Sequence, residues 1–136
     1  MLALSIRQPW ASMILKVGKG IENRDWPCRY RGRILIHASK GMTREEHEDA
    51  IAFAIGAIKA DPRNAGVTRR TTLRELGFSY EDLPRGGIIG SVEIVDCVTA
   101  SDSPWFVGRF GFVLRDPKPL PFVPWKGQFG LFEVPE

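Results

Sequence analysis

Ile88-Ile-Gly-Ser-Val-Glu-Ile-Val-Asp-Cys-Val98 is a long β-branched run that follows the turn signal Arg85-Gly-Gly87. Valine and isoleucine at this density predict a strand, and Gly90 inside it predicts a bulge or a tight bend. The flanking sequence repeats the theme. Leu2-Ala-Leu-Ser-Ile6 and Ile34-Leu-Ile-His-Ala38 are short apolar strands. Ile21 to Trp26 alternates and reads as extended. Phe106 to Leu114 is a further strand with bends at Gly108 and Gly111, and Gly130-Leu-Phe-Glu-Val134 closes the chain as the last one. Pro117, Pro119, Pro121 and Pro124 read as an extended connection between those two. Five or six short, mostly antiparallel strands with glycine inside several of them suit a small closed or nearly closed barrel better than a flat sheet.

The helices cover the ends or one flank of that barrel, which makes the fold class α+β. Pro9 suits a first helical turn, where a missing N–H costs nothing. Trp10, Ile14 and Val17 then share one side of a helix over about 9–17, stopped by Gly18 and Gly20. Thr43-Arg-Glu-Glu46 has the spacing of a capping box, with Thr43 as N-cap and Glu46 at the third helical position. It opens a helix that ends at Asp61-Pro62. Residues 61–86 read as an exposed loop or insertion, with one helical turn near Leu73 to Leu76.

At 136 residues, 43% apolar, 26% charged and 10% aromatic, the chain has the make-up of one globular domain, residues 1–136. It contains no apolar run of membrane-spanning length and no leader-like N-terminus, so a cytoplasmic location is expected. Two cysteines, Cys28 and Cys97, are expected to be reduced thiols. Two histidines and two cysteines at these separations do not spell a zinc site, and no Gly-rich phosphate loop occurs. No cofactor or metal is therefore expected. The net charge of +3 conceals a basic N-terminal third. There Arg7, Lys16, Lys19, Arg24, Arg29, Arg31, Arg33 and Lys40 face only Glu22 and Asp25. Such a balance suits either a polyanionic partner or a solvated basic face.

Four segments carry chemistry: Ser5-Ile-Arg-Gln-Pro-Trp-Ala11, Lys19-Gly-Ile-Glu-Asn-Arg-Asp-Trp26, Tyr30-Arg-Gly-Arg-Ile-Leu-Ile-His-Ala38 and Lys126-Gly-Gln-Phe-Gly-Leu-Phe132. Their order and spacing resemble the ASCH domain, a family of the PUA-like superfamily, from Leu2 to Val134. Lys19, Glu22 and Arg24 match the family motif Gly-x-Lys-x-x-Glu-x-Arg, with Val17 at the position of the leading glycine and Gly18 one place later. The resemblance implies a PUA-like β-barrel beside a cleft lined by the Lys, Glu and Arg. It implies an RNA or nucleotide-like ligand there. Some relatives are described as ribonucleases, and one branch hydrolyses acetylated cytidine using a threonine where this chain has Glu22.

The residues themselves admit the same chemistry. Arg24 can hold a phosphate or carboxylate with two parallel bonds, and Glu22 can orient Lys19 or accept a base's amino group. Trp10 and Trp26 offer flat faces for stacking of single-stranded RNA, each worth ~1–3 kcal/mol. Arg7, Gln8, Arg29, Arg31 and Lys126 complete the expected binding set, giving a basic cleft around Lys19, Glu22 and Arg24. Were the cleft catalytic, as a metal-independent ribonuclease or an amidohydrolase, Lys19, Glu22, Tyr30 and His37 would supply acid, base and nucleophile. Plainer readings stand beside these. The charged triad can be a surface salt-bridge network, and His37 a satisfied strand residue. His47 lies on an acidic helix face with no role, and Trp105 and Trp125 are structural. The chain can also be an interaction module that touches no nucleic acid.

Overall fold

The computed structural model describes residues 1–61 and 70–135. In chain order these form β1 (Leu2–Ile6), α1 (Trp10–Lys16), β2 (Ile21–Arg24), β3 (Gly32–Ala38), α2 (Arg44–Ala60), α3 (Arg70–Glu75), β4 (Gly87–Val98), β5 (Phe110–Pro124) and β6 (Leu131–Glu133). The six strands make one sheet in the order β2-β5-β4-β3-β1-β6, curled into a half-barrel. All neighbours run antiparallel except β1 and β3. The α+β barrel-like architecture thus stands as the sequence pattern implies. No helix among the described residues is long and apolar enough to cross a membrane.

The sheet curls because β4 is irregular where the sequence breaks its β-branched run. Its register against β5 shifts between Ile88 and Gly90, and β3 shifts between Ile36 and His37. A side chain at Gly90 would sit 2.7 Å from Leu15 and 2.8 Å from the Lys118 carbonyl, so only glycine lets strand, helix and neighbouring backbone meet there. Ile34, Ile36, Val92, Ile94 and Phe112 bury one face of the sheet beside Leu4, Ile6 and Ile14. Each large aliphatic so buried contributes about 1.5–3 kcal/mol. Leu35 points to the other face and joins Ala3, Ile88, Phe132 and Val134.

Helix α2 begins as the capping-box spacing predicts. Thr43 Oγ1 accepts from the Glu46 amide at 3.0 Å, and the Glu46 carboxylate accepts from the Thr43 amide at 2.8 Å. Its inner stripe, with Ile51, Ala54 and Ile58, packs with Met13, Val17, Leu73, Phe78 and Trp105 into a second core.

Three sequence expectations are corrected. The Pro-rich 117–124 segment is not a connection but the second half of β5, paired with β4 out to Pro124. Beyond Val113 no β2 residue pairs with it, and proline is tolerated on a strand with one open edge. The 61–86 stretch is only partly open to solvent. Residues 62–69 lie outside the described residues, but Leu73, Phe78 and Leu83 are buried core members. His47 is not a bystander on a wet helix face. It is buried, and its Nε2 lies 2.7 Å from the Phe78 carbonyl.

Candidate functional site

The site grows from the turn between α1 and β2. Gly18 takes a left-handed conformation (φ 76°), and the Lys19 amide caps α1 by donating to the Met13 carbonyl at 3.2 Å. This sharp reversal aims the Lys19 side chain back along β2. Its ammonium donates to the Ile21 carbonyl and, at 2.9 Å, to Glu22 Oε1, and it lies 5.7 Å from the centre of the Trp10 ring. Glu22 and Arg24 share a face of the strand, so Arg24 Nε donates to Glu22 Oε2 at 3.1 Å. A second guanidinium nitrogen of Arg24 donates to the Ser5 carbonyl of β1 at 2.8 Å. Both oxygens of Glu22 are therefore held by cations. With side-chain exposures of 3% for Lys19, 9% for Glu22 and 22% for Arg24, this is a buried ion network rather than a surface salt bridge.

Two adjoining hollows of about 490 and 520 Å³ open over this network. Arg7, Trp10, Glu22, Asn23 and Val107 line both, so the two are lobes of one cleft divided at Trp10 and Glu22. The first lobe is completed by Gln8, Lys19, Phe53, Trp105 and one face of α2, where Glu46, Asp49, Ala50 and Phe53 recur at helical spacing. The second is completed by Ser5, Arg24, Asp25, Trp26, Gly108 and Arg109.

Aromatic rings form the walls. Trp10 meets Phe53 edge-on at 5.8 Å, Phe53 meets Trp105 at 6.3 Å, and Trp26 leans edge-on against Phe112 at 5.1 Å. Asn23 clamps the segment that roofs the cleft. Its amide nitrogen donates to the Trp105 carbonyl and its amide oxygen accepts from the Val107 N–H, both at 2.9 Å. Trp105 Nε1 is buried and has no hydrogen-bond partner among the described residues. An unpartnered buried donor costs about 1–3 kcal/mol.

Arg7, Gln8, Trp10, Lys19, Glu22, Arg24 and Trp26 thus come together as the motif spacing suggests. Their environment is not basic, however. Arg7, Lys19, Arg24 and Arg109 are matched by Glu22, Asp25, Glu46 and Asp49. Arg7 is tied to Glu46 at 2.7 Å. The Thr43 amide, and after it Arg7, hold the Glu46 carboxyl below its ordinary range. Gln8 is buried and spans α1 to its surroundings. It accepts from the Ser12 amide and donates to the Ser12 hydroxyl and the Pro84 carbonyl.

The remaining expected residues lie elsewhere. His37 lines neither lobe. Its Nε2 lies 2.6 Å from the Trp125 carbonyl, its Nδ1 2.9 Å from Ser5 Oγ, and that hydroxyl 2.8 Å from Ser39 Oγ. This is a satisfied buried chain that braces β1 against β3, one residue behind the cleft wall. The Tyr30 hydroxyl donates to the Arg33 carbonyl, and the Arg31 guanidinium donates to the Cys28 and Tyr30 carbonyls. Arg29 and Lys126 are exposed and line neither lobe. Both cysteines are free, and burial pushes the Cys28 thiol up from its ordinary value.

Asn23, Asp49, Phe53, Val107 and Arg109 were not foreseen from sequence, and Trp105, expected to be only structural, lines the cleft as well as the core. Phe53 carried a signal. It sits three residues from Ala50 and four from Ala57, at the flank of the buried stripe, so its ring borders the core and reaches the adjoining surface.

A family model for the ASCH domain matches residues 4–105, a span that holds the triad, α2 and Trp105. The chain is similar to Activating signal cointegrator 1 of Homo sapiens, with 27% identity over 133 residues, covering 86% of this chain and 19% of that protein. The Mus musculus protein of the same name is 27% identical over 96 residues, covering 71% of this chain and 14% of that protein. The chain therefore spans less than a fifth of the length of these curated relatives.

Proposed function

The chain belongs to the ASCH domain family, and from that premise we propose that its two-lobed cleft binds single-stranded RNA or a nucleotide-like ligand. The observation that carries the reading is the floor of the cleft. Lys19 and Glu22 are an ion pair buried in the floor, and Arg24, partly exposed, joins it in a cleft that Trp10 and Trp26 also line. Burying an ion pair is expensive for a protein that uses it only for stability. Here the three side chains fix charged donors against rings on which unstacked bases can lie, the arrangement single-strand binding calls for.

The pairing within the cleft sets the electrostatics. Arg7 and Lys19 already hold carboxylates, which leaves the outer N–H groups of Arg24 and the guanidinium of Arg109 to meet phosphate. Two phosphate contacts correspond to a slope of about −1.4 in log K against log salt for a single strand. Fluorescence anisotropy with a labelled single-stranded RNA across a salt series tests this. The expected result is that slope, with Arg24→Ala lowering both affinity and slope. A flat response would sink the reading.

The hydrolytic alternatives, ribonuclease or amidohydrolase on a modified cytidine, draw less support. Of Lys19, Glu22, Tyr30 and His37, only the first two line the cleft, and they neutralise each other. RNA cleavage in chelator that is lost in Lys19→Ala would favour that reading instead.

A further inference from the structure

The two lobes differ in what they leave unused. In the first, Glu46 is held by Arg7 and Thr43, but Asp49, one helical turn on, has no hydrogen-bond or ion-pair partner among the described residues. Trp105, whose ring lines the same lobe, keeps its buried indole N–H unpartnered among the described residues. The rings of Trp10 and Phe53 meet edge-on in the same lobe. This lobe therefore offers an aromatic-walled hollow with one vacant acceptor, the Asp49 carboxylate. In the second lobe, Arg109 pairs with no carboxylate among the described residues, and Arg24 reaches toward the same space. The second lobe sets Arg7, Arg24 and Arg109 against Glu22 and Asp25, while the first sets only Arg7 and Lys19 against Glu22, Glu46 and Asp49, so the charged end of a nucleotide belongs at Arg24 and Arg109 and its uncharged end at Asp49.

We propose that the lobe walled by Trp10, Phe53 and Trp105 is a base-selective subsite. It takes one unstacked base bearing an exocyclic amine, which donates to Asp49, while the phosphate lies at Arg24 and Arg109. The proposal rests on the nucleotide-binding reading above and extends it to specificity. An amine gives the Asp49 carboxylate a donor. Uracil instead flanks its single N–H with two carbonyls, whose lone pairs oppose the carboxylate. Adenine and cytosine are accordingly preferred over uracil, and the preference depends on one exposed side chain with no part in the core.

Tryptophan fluorescence of the intact chain, titrated with AMP, CMP and UMP, tests this. AMP and CMP should bind about tenfold more tightly than UMP, a modest value for one charged hydrogen bond. Asp49→Asn should bring the three within about twofold by weakening AMP and CMP, an effect on the order of the same single contact. Arg109→Ala should weaken all three alike and leave adenosine unchanged. Equal affinity for CMP and UMP in the unaltered chain, or an order of preference that survives Asp49→Asn, overturns the proposal. Oligomers of rA, rC and rU separate the two levels. If all bind equally with the salt slope above, the base subsite falls and RNA binding stands; if none binds, both fall.

Discussion

Replacing Glu22 by glutamine removes the charge that allows Lys19 to be inside the protein. The lysine side chain is 3% exposed and reaches no other carboxylate at ion-pair distance among the described residues. Arg24, at 22%, keeps the Ser5 carbonyl and some access to water. The loss therefore falls mainly on Lys19. Breaking a buried pair by removing one partner costs about 3–5 kcal/mol. Glutamine retains a hydrogen-bond acceptor in place of Oε1, which puts the expected cost near the lower end, about 3 kcal/mol. For a domain of this size that is a fall of roughly 10 °C in Tm. Urea unfolding followed by tryptophan fluorescence reads it directly. The paired replacement Lys19→Met with Glu22→Leu supplies the control. With both charges gone, stability should return to within about 1 kcal/mol of the original, because the one charge left without its carboxylate, Arg24, is 22% exposed and keeps the Ser5 carbonyl. Should Glu22→Gln cost less than about 1 kcal/mol, the network would be worth no more than a surface pair and its burial would have been misjudged. A double variant as unstable as the two single ones combined would refute the coupling outright.

Three further outcomes follow from the same geometry. His37→Ala should lower stability by about 2 kcal/mol, through its two lost hydrogen bonds, while RNA affinity measured by anisotropy changes less than about twofold. Glu46 has a depressed folded-state pKa, so its contribution is complete above the ordinary glutamate value of 4.5 and is lost as pH falls through the lower folded value. The urea midpoint should decline over that acid window in the native chain and decline less in Glu46→Gln. Gly90→Ala places a methyl 2.8 Å from the Lys118 carbonyl, which belongs to the paired strand and cannot swing aside. The expected penalty is about 1–3 kcal/mol, read as a lower thermal midpoint.

What the sequence made legible was whatever is written locally. The capping box at Thr43 and Glu46 spans one helical turn, and both of its hydrogen bonds form. The alternation of Glu22 and Arg24 put them on one face of a strand, and Gly18 was a visible turn that could bring Lys19 round to them. What stayed hidden depends on distant chain. His47 reads as solvated beside Glu45, Glu46 and Glu48, because its hydrogen-bond partner, the Phe78 carbonyl, lies 31 residues away. The four prolines after Leu114 read as a break, because nothing nearby reveals that the strand carrying them has one open edge there. A basic cleft followed from counting the first forty residues alone. The compensating Glu46 and Asp49 come from a helix beyond that count, which the fold lays across the opening.

The same dependence explains why binding and stability will be hard to separate at most of these positions. Trp10 divides the two lobes, yet it also packs against both large cores. Asn23 lines both lobes, yet its amide holds down the 105–107 segment. Gln8 faces the cleft, yet its amide braces α1. A loss of ligand affinity on changing any of these is ambiguous, because the altered side chain also positions its neighbours. Asp49 and Arg109 are different. Both are exposed, one stands in each lobe, and neither is ion-paired among the described residues. If the cleft recognises a nucleotide, these are places where a substitution should change which ligand binds, or how strongly salt opposes it, while the unfolding midpoint stays where it was. An Asp49 or Arg109 variant that lost stability without altering ligand preference or salt slope would instead mark the lobes as incidental hollows between elements.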